Sequence, residues 1–234
     1  FEKNTFANSE ALEQLAQFTS TLTASTVSET IKQQFYDLTK EKIIEKINQT
    51  PTDARYLVFA GSFFNRFSQY DEAIKYLERA LAQSPQKQSI LIEFGTSYLG
   101  KGNTAKMFEL FKKAYELRPD LIESKIIYAI GAIYSQNSVA LKEVAPLIDQ
   151  NTVIYDNRFI NAYARIGDYN SVIEILNVRL AKDPTNIQNR LLSASVYTSM
   201  GQKTQAINII RKIIEEKPDF KDEGEMYIKQ IQNS

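Results

Sequence analysis

The sequence has 234 residues, of which 43% are hydrophobic, and this is enough for a sizeable core in one large domain or two small ones. Its 28 Lys and Arg residues balance 28 Asp and Glu residues, which argues against nucleic acid as a partner because phosphate binding needs a basic surface. Cys and His are absent, so histidine or thiolate catalysis and the usual zinc ligands are excluded; we expect no enzyme, no metal and no cofactor.

The first fifty residues predict two helices that differ in their apolar faces. The first helix carries one apolar stripe, formed by Leu12, Leu15, Phe18 and Leu22. The second is predicted from about Ser28 to Asn48, with Thr26 and Glu29 as a capping box at its start. Its apolar residues form more than one stripe: Ile31, Phe35, Leu38, Ile43, Ile44 and Ile47. A helix that is apolar on two sides packs between neighbours, or caps a stack while it contacts another molecule.

From residue 51 onward, prolines return at a fixed interval. Pro51, Pro85 and Pro119 are evenly spaced, and Pro184 and Pro218 repeat the same interval. The same small and large apolar residues return between them: Leu57, Ala60, Gly61, Phe64, Ala73, Leu77 and Ala80, then Leu91, Phe94, Gly95, Tyr98, Met107, Phe111 and Ala114. A period of about 34 residues indicates stacked helix–turn–helix units, with small residues where two helices approach closely.

The middle of the chain departs from this period. The interval from Pro119 to Pro184 falls three residues short of two periods, and Pro146 lies inside the helix predicted for residues 138–149. Because proline interrupts a helix beyond its first turn, we expect a short, displaced helix there. The period resumes with Gly167 and Gly201 at the predicted turns, and a final helix is predicted from Asp222 to Gln232.

These repeats resemble the tetratricopeptide repeat family. The segment DEAIKYLERALAQSP, from Asp71 to Pro85, is similar to the family's second helix over almost its full length. The resemblance implies an all-α, right-handed α–α superhelix of about five helix pairs, with extra N-terminal helices and a C-terminal capping helix. The predicted boundaries are 1–50 for the divergent N-terminal pair, 51–84, 85–118, 119–151, 152–183 and 184–217 for the repeats, and 218–234 for the cap.

In this family the first helix of each repeat lines the concave face, which implies a groove for a peptide or helix of a partner protein. The predicted lining residues are Arg55, Ser62, Asn65, Ile92, Thr96, Leu99, Ile126, Ile130, Ile133, Asn157, Asn161 and Arg165. The fifth repeat adds Gln188, Leu191, Ser195 and Thr198. We expect an apolar centre at the three isoleucines and polar ends, unless the irregular middle repeat simply buries those isoleucines. Asn157 and Asn161, one turn apart, are predicted to bind a peptide backbone.

Family members that grip the C-terminal carboxylate of a peptide use a clamp of Lys and Asn with Lys and Arg. The corresponding places hold Val58, Ser62, Ile92, Glu93 and Ile126. This departure removes the clamp, and we do not expect binding of chaperone tails.

A wider resemblance offers an alternative function. Soluble repeat tails of bacterial O-antigen ligase- or polymerase-like membrane proteins are similar to the run PTDARYLVFAGSFFNRFSQYDEAIKYLERALAQSPQKQ, followed by SYLGKGN and YAIGAIYS. Because the chain starts at Phe1, we expect a fragment, whose missing part would hold the membrane helices; the longest apolar stretch here is too short to span a bilayer. A third hypothesis is a self-assembling structural module, motivated by the two-sided second helix. The sequence indicates no particular cellular compartment.

Overall fold

The computed structural model describes the backbone of residues 5–234, and the side chains from residue 10 onward, as helices joined by short turns, with no strand in that range. The prediction of an all-α fold is confirmed. The helices are α1 Thr5–Leu22, α2 Glu29–Gln49, α3 Ala54–Arg66, α4 Tyr70–Gln83, α5 Gln88–Gly100, α6 Thr104–Leu117, α7 Ile122–Tyr134, α8 Ser138–Val144, α9 Gln150–Tyr155, α10 Asn157–Arg165, α11 Tyr169–Lys182, α12 Ile187–Ser199, α13 Lys203–Glu216 and α14 Lys221–Asn233.

The chain divides into two compact units, one ending at Gly131 and the other starting at Ala132, so that the division falls within α7. We call them the N-terminal unit and the C-terminal unit. In the N-terminal unit α3 pairs with α4 and α5 with α6, and in the C-terminal unit α12 pairs with α13.

The turns between paired helices recur with the same period as the prolines. One residue with positive φ stands at each turn: Ser68, Gly102, Gln136, Gly167 and Gly201. The amide that follows it donates to a carbonyl five residues earlier, as from Gln69 to Phe64 (2.9 Å) and from Asn103 to Tyr98 (2.9 Å). This bond closes the end of the first helix of each pair. The spacing of these turns is constant except from Gln136 to Gly167, where it is shorter by three residues, so the three missing residues lie in that interval.

Close contact between paired helices explains the small residues of the repeat. A Cβ atom at Gly61 would overlap the side chain of Leu77, and one at Gly95 would overlap Phe111. Leu77 and Phe111 are buried, so neither can move aside freely. In both regular pairs, a glycine of the first helix therefore lies against a bulky residue of the second, as expected where small residues mark a close approach of two helices.

Pro146 and two aspartates shape the irregular segment of the C-terminal unit. Helix α8 ends at Val144, and Pro146 lies in a one-turn 3-10 helix at Ala145–Leu147, as expected for a proline inside a helical pattern. Asp149 then caps α9, and Asp156 ends α9 while its side chain accepts from the amide of Arg158 at the start of α10. The first helix of the fourth predicted repeat is thus split in two.

Arg179 of α11 forms hydrogen bonds with both parts of the split helix, α9 and α10. It is 8% exposed, and its Nε donates to the carbonyl of Ile154 (2.6 Å) at the end of α9. Its Nη1 donates to Oδ1 of Asn157 (2.9 Å) at the start of α10, and its guanidinium lies over the ring of Tyr155. The Arg179 side chain therefore satisfies a carbonyl at the end of α9 and also contacts the first residue of α10.

The helices near the two ends of the chain agree with those predicted from the sequence, except for the N-terminal cap of α2. Helix α14 covers the predicted C-terminal helix and packs on α13. Helix α2 starts at Glu29 after Ser28, which makes no side-chain capping bond. The predicted capping box with Thr26 was wrong, because Glu29 is the first residue of the helix rather than the third residue after a cap at Thr26.

Candidate functional site

The outward surface of the first helices is the candidate site, and in the N-terminal unit it is formed by α3 and α5. Arg55 is exposed, and its side chain binds Asp53 (Nη2 to Oδ2, 2.7 Å), the residue that caps α3. Ser62 is half-buried, and Thr96 is exposed with its hydroxyl donating to the carbonyl of Ile92 (3.0 Å). Ile92 and Leu99 are half-buried. This part of the predicted lining is accessible.

Asn65 joins the two first helices of the N-terminal unit. Its Nδ2 donates to the carbonyl of Glu93 (3.1 Å), and its Oδ1 accepts from the hydroxyl of Ser97 (2.7 Å). Because these bonds use both ends of the amide, Asn65 fixes the spacing of α3 and α5. Glu93 is half-buried beside it.

The predicted apolar centre of the groove is not exposed. Ile126, Ile130 and Ile133 are 4%, 5% and 2% exposed, so the expectation of an open apolar surface at these residues was wrong. The reason lies in α7, where every residue from Ile126 to Ile133 is buried. A helix that is apolar on all sides is enclosed rather than lining a face. These isoleucines instead agree with the alternative interpretation, in which the irregular middle repeat buries them.

In the C-terminal unit, α10 presents the three predicted polar residues in different environments. Asn157 is exposed but its Oδ1 accepts from Arg179, so this amide contributes to the fold. Asn161 is exposed one turn later, and the guanidinium of Arg165 lies 5.8 Å from the centre of the Tyr134 ring. The two asparagines therefore do not act as an equivalent pair.

A cavity of about 400 Å³ borders the first-helix face of the N-terminal unit. Helix α1 forms one wall and α3 the other, and Nη1 of Arg66 donates to Oε1 of Gln17 (3.1 Å) between them. The lining residues are Glu13, Gln14, Ala16, Gln17, Ser20, Phe59, Ser62, Phe63 and Arg66. The sequence predicted Ser62 at this face but gave no signal that α1 would border it, because α1 lies outside the repeat pattern.

A second cavity, of about 450 Å³, lies in the C-terminal unit between α12 and α14. Its lining residues are Leu191, Ala194, Ser195, Thr198, Ser199, Ile210, Tyr227, Gln230, Ile231 and Ser234. Leu191, Ser195 and Thr198 are among the outward positions predicted for the fifth repeat. Sequence reasoning missed the α14 residues, although the spacing of Tyr227 and Ile231, one turn apart, places them on one helical face.

The two cavities differ in charge. The N-terminal cavity includes Glu13 and Arg66, whereas no lining residue of the C-terminal cavity carries a charged side chain. Within residues 5–234 there is no group of three or more acidic residues placed to hold a metal ion. Across the same range, no helix has the length and apolar character needed to cross a membrane.

Comparison with known proteins agrees with this geometry. Residues 57–91 match a family model described as tetratricopeptide repeat, and residues 89–121 and 187–220 match a second model of the same description. The chain therefore contains tetratricopeptide repeats. Such repeats generally mediate protein–protein interaction and typically form non-catalytic scaffolds. No curated protein matches the sequence, and nothing supports the resemblance to O-antigen ligase-like proteins.

Solved structures give the same fold at low sequence identity. A tetratricopeptide repeat protein from Parabacteroides merdae is 18% identical with a TM-score of 0.59, over 88% of this chain and 80% of that chain. PilW, described as a widely conserved type IV pilus biogenesis factor, is 13% identical with a TM-score of 0.59, over 88% of this chain and 94% of that chain. At these identities the likeness shows the fold alone: a helical solenoid of the tetratricopeptide type.

Proposed function

We propose that the protein is a scaffold that binds a segment of a partner protein on the outward faces of its first helices. The observation that carries this proposal is the presence, in each unit, of a cavity on that face: one beside Ser62 and one beside Ser195. Cavities of this size accommodate side chains of a ligand. The repeat pattern alone fixes the fold but not the use of these faces.

Several accessible residues of these faces can hold a partner segment by neutral polar contacts. Ser62, Thr96, Asn161 and Ser195 are uncharged and at least partly exposed. Buried Ile126, Ile130 and Ile133 take no part in this surface. Binding at either unit is therefore proposed to depend on the first-helix residues that remain at the surface.

The test selects ligands from a displayed library of random peptides and maps where they bind. Thr96→Arg on α5 and Ser195→Arg on α12 add a long cation to the proposed faces at exposed positions. We expect the affinity of the selected peptides to fall at least tenfold in one of these variants. Ala82→Arg on α4 and Asn208→Arg on α13 are matched controls, because they add the same side chain at exposed positions of second helices.

Two results would overturn the proposal. One is a library that yields no peptide binding to the folded chain. The other is a set of peptides that lose affinity in the second-helix controls while Thr96→Arg and Ser195→Arg bind them normally. Circular dichroism and thermal unfolding of each variant confirm that the added arginine has left the helices intact.

Self-association is a second candidate function, favoured by an apolar patch on the N-terminal helix pair. Phe18 is 49% exposed and Ile31 and Leu38 are each 42% exposed. Phe18 packs edge-on against Phe35, with ring centres 5.1 Å apart. If this patch joins two copies, light scattering will show a mass that rises with concentration, and Leu38→Asp will keep the chain monomeric. A strictly monomeric wild-type chain over the same range contradicts self-association.

A further inference from the structure

We infer that the Glu93 carboxylate on α5 binds a cationic side chain, that of lysine or arginine, from the partner segment. This inference rests on the proposed function and gives the first-helix face of the N-terminal unit a preference for positive charge. Three properties of Glu93 support it: its partial burial, its orientation by a neighbouring amide, and the lack of a cation partner among residues 10–234.

The amide of Asn65 on α3 orients this carboxylate. Its Nδ2 donates to Oε2 of Glu93 (3.3 Å) and to the carbonyl of the same residue (3.1 Å). The amide is itself fixed, because its Oδ1 accepts from the hydroxyl of Ser97 (2.7 Å), a buried residue. Within the described side chains, no donor lies within hydrogen-bond distance of Oε1 of Glu93, so this oxygen is left for a ligand.

Glu93 differs from most acidic residues of this part of the chain in lacking a cation. Between residues 53 and 117, cations pair with all the other acidic side chains except Glu78, namely with Asp53, Asp71, Glu72, Glu109 and Glu116. Glu78 is exposed, whereas Glu93 is half-buried. A half-buried charge is less well solvated than an exposed one and gains more from an opposite charge, so Glu93 is the carboxylate that a cationic ligand stabilises most.

The residues beside Glu93 leave its charge unopposed. Ser62 lies one turn before Asn65 on α3, and Thr96 lies one turn after Glu93 on α5, so both border the carboxylate and neither carries a charge. Arg66 follows Asn65 in the chain, but its Nη1 donates to Oε1 of Gln17 on α1 (3.1 Å). A cation of the partner therefore meets a negative charge on an otherwise neutral part of the face.

The chemistry of a carboxylate selects the ligand group. An ionised carboxylate only accepts hydrogen bonds, so the ligand must be a donor. An ammonium or guanidinium group forms charge-assisted bonds, which are roughly twice as strong as those of a neutral hydroxyl or amide. A cation also compensates the charge of Glu93, which a neutral donor leaves in place. Lysine and arginine meet both requirements, and an acidic residue at the same place is repelled.

The test repeats the selection from the displayed random library on the wild-type chain, Glu93→Gln and Glu78→Gln. Glutamine keeps the shape and an acceptor oxygen for Asn65 but carries no charge. We expect lysine or arginine to be enriched at one fixed position of the peptides from the wild-type chain and from Glu78→Gln. The enrichment should be absent with Glu93→Gln. Glu78 is the matched control, because it is an exposed glutamate of a second helix without an ion pair.

A selected peptide and its norleucine analogue then measure the contact directly. Norleucine replaces the basic residue by an uncharged chain, which should weaken binding to the wild-type chain about fivefold, since a partly exposed ion pair contributes about that factor. The difference should stay within about twofold on Glu93→Gln, and it should shrink on the wild-type chain in about 0.5 M salt. Thr96→Glu adds a second carboxylate one turn away and should strengthen binding of the basic peptide about twofold, an effect that loss of structure cannot produce.

Three results overturn the inference: wild-type peptides without a preferred basic position, an equal effect of norleucine on the wild-type chain and on Glu93→Gln, or loss of the basic preference in Glu78→Gln as well. These failures are distinct from failure of the proposed function. Peptides that lose affinity in Thr96→Arg but show no basic preference keep the face and exclude a cation at Glu93, whereas a selection that yields no peptide overturns both proposals.

Discussion

At Gly61 the two helices of the first regular pair approach so closely that a Cβ atom would overlap Leu77, whose side chain is fully buried. We predict that Gly61→Ala lowers the free energy of unfolding by about 1–2 kcal/mol, since overpacking costs about 1–3 kcal/mol and the better helix propensity of alanine returns less than about 1 kcal/mol. Urea unfolding measures this change. In a Leu77→Ala background, where the colliding side chain is gone, the same substitution should be neutral or stabilising.

Glu109 is the residue whose ionisation differs most clearly from its ordinary behaviour. Hydrogen bonds from Lys106 and Lys113 (both 2.8 Å) lower the pKa of Glu109 to about 2. Because this pKa is depressed in the folded chain, the stabilisation by the two lysines is present above about pH 4.5 and is lost as the pH falls towards 2. The side chains are 39–55% exposed, so salt should weaken the effect.

An NMR titration of the Glu109 carboxyl carbon tests this prediction directly. Its midpoint should lie near pH 2 at low salt and should rise in Lys106→Met and in Lys113→Met, because each substitution removes one donor. Lys112→Met on the same helix is the control, since Lys112 pairs with Glu116 instead. A midpoint that stays at the ordinary value for glutamate in the wild-type chain would show that the two ion pairs do not form in solution.

Among the elements, the split helix α9–α10 depends on a residue from another helix. We predict that Arg179→Met speeds amide exchange in α9 by about 10–100-fold, because loss of a buried hydrogen bond to a carbonyl costs about 1–3 kcal/mol. The substitution removes the hydrogen bond from Nε of Arg179 to the carbonyl of Ile154. Lys182→Met is a matched control on α11, since the amine of Lys182 contacts Asn151 of the same short helix from an exposed position. It should change exchange in α9 much less, and equal effects would contradict the role of Arg179.

The sequence indicated where the elements would become irregular but not how they are held. Pro146 and the shortened interval from Pro119 to Pro184 placed the irregularity correctly, since both follow from the chain alone. From the sequence alone, Arg179 would be interpreted as an ordinary surface cation of an amphipathic helix, because nothing in the pattern indicates that it is buried. Its partner Ile154 lies in the interval from Gln136 to Gly167, which is three residues shorter than the other intervals between turns.

For the molecule as a whole, contacts within the regular repeats were predictable, whereas burial in the irregular middle repeat and contacts of α1 were not. Gly61 with Leu77 and Gly95 with Phe111 follow from the repeat pattern, because each pair belongs to one helix–turn–helix unit. Ile126, Ile130 and Ile133 occupy outward positions in the same pattern and yet are buried. Likewise, α1 borders the cavity beside Ser62 without belonging to a repeat. The pattern describes the regular unit, and these departures belong to the irregular middle repeat and to a helix outside the repeats.

The same logic predicts how the chain loses structure. Repeats couple mainly to adjacent repeats, so a core defect should spread over neighbouring helices rather than the entire chain. Ile210→Ala removes a residue 1% exposed in the C-terminal unit, a change that costs about 2–5 kcal/mol, and should speed amide exchange in α12–α14. Leu77→Ala, the counterpart in the N-terminal unit, should speed exchange in α3–α6 instead. Hydrogen exchange read by mass spectrometry separates the two patterns, and an even loss of protection over all helices in both variants would show that the chain unfolds as one cooperative body.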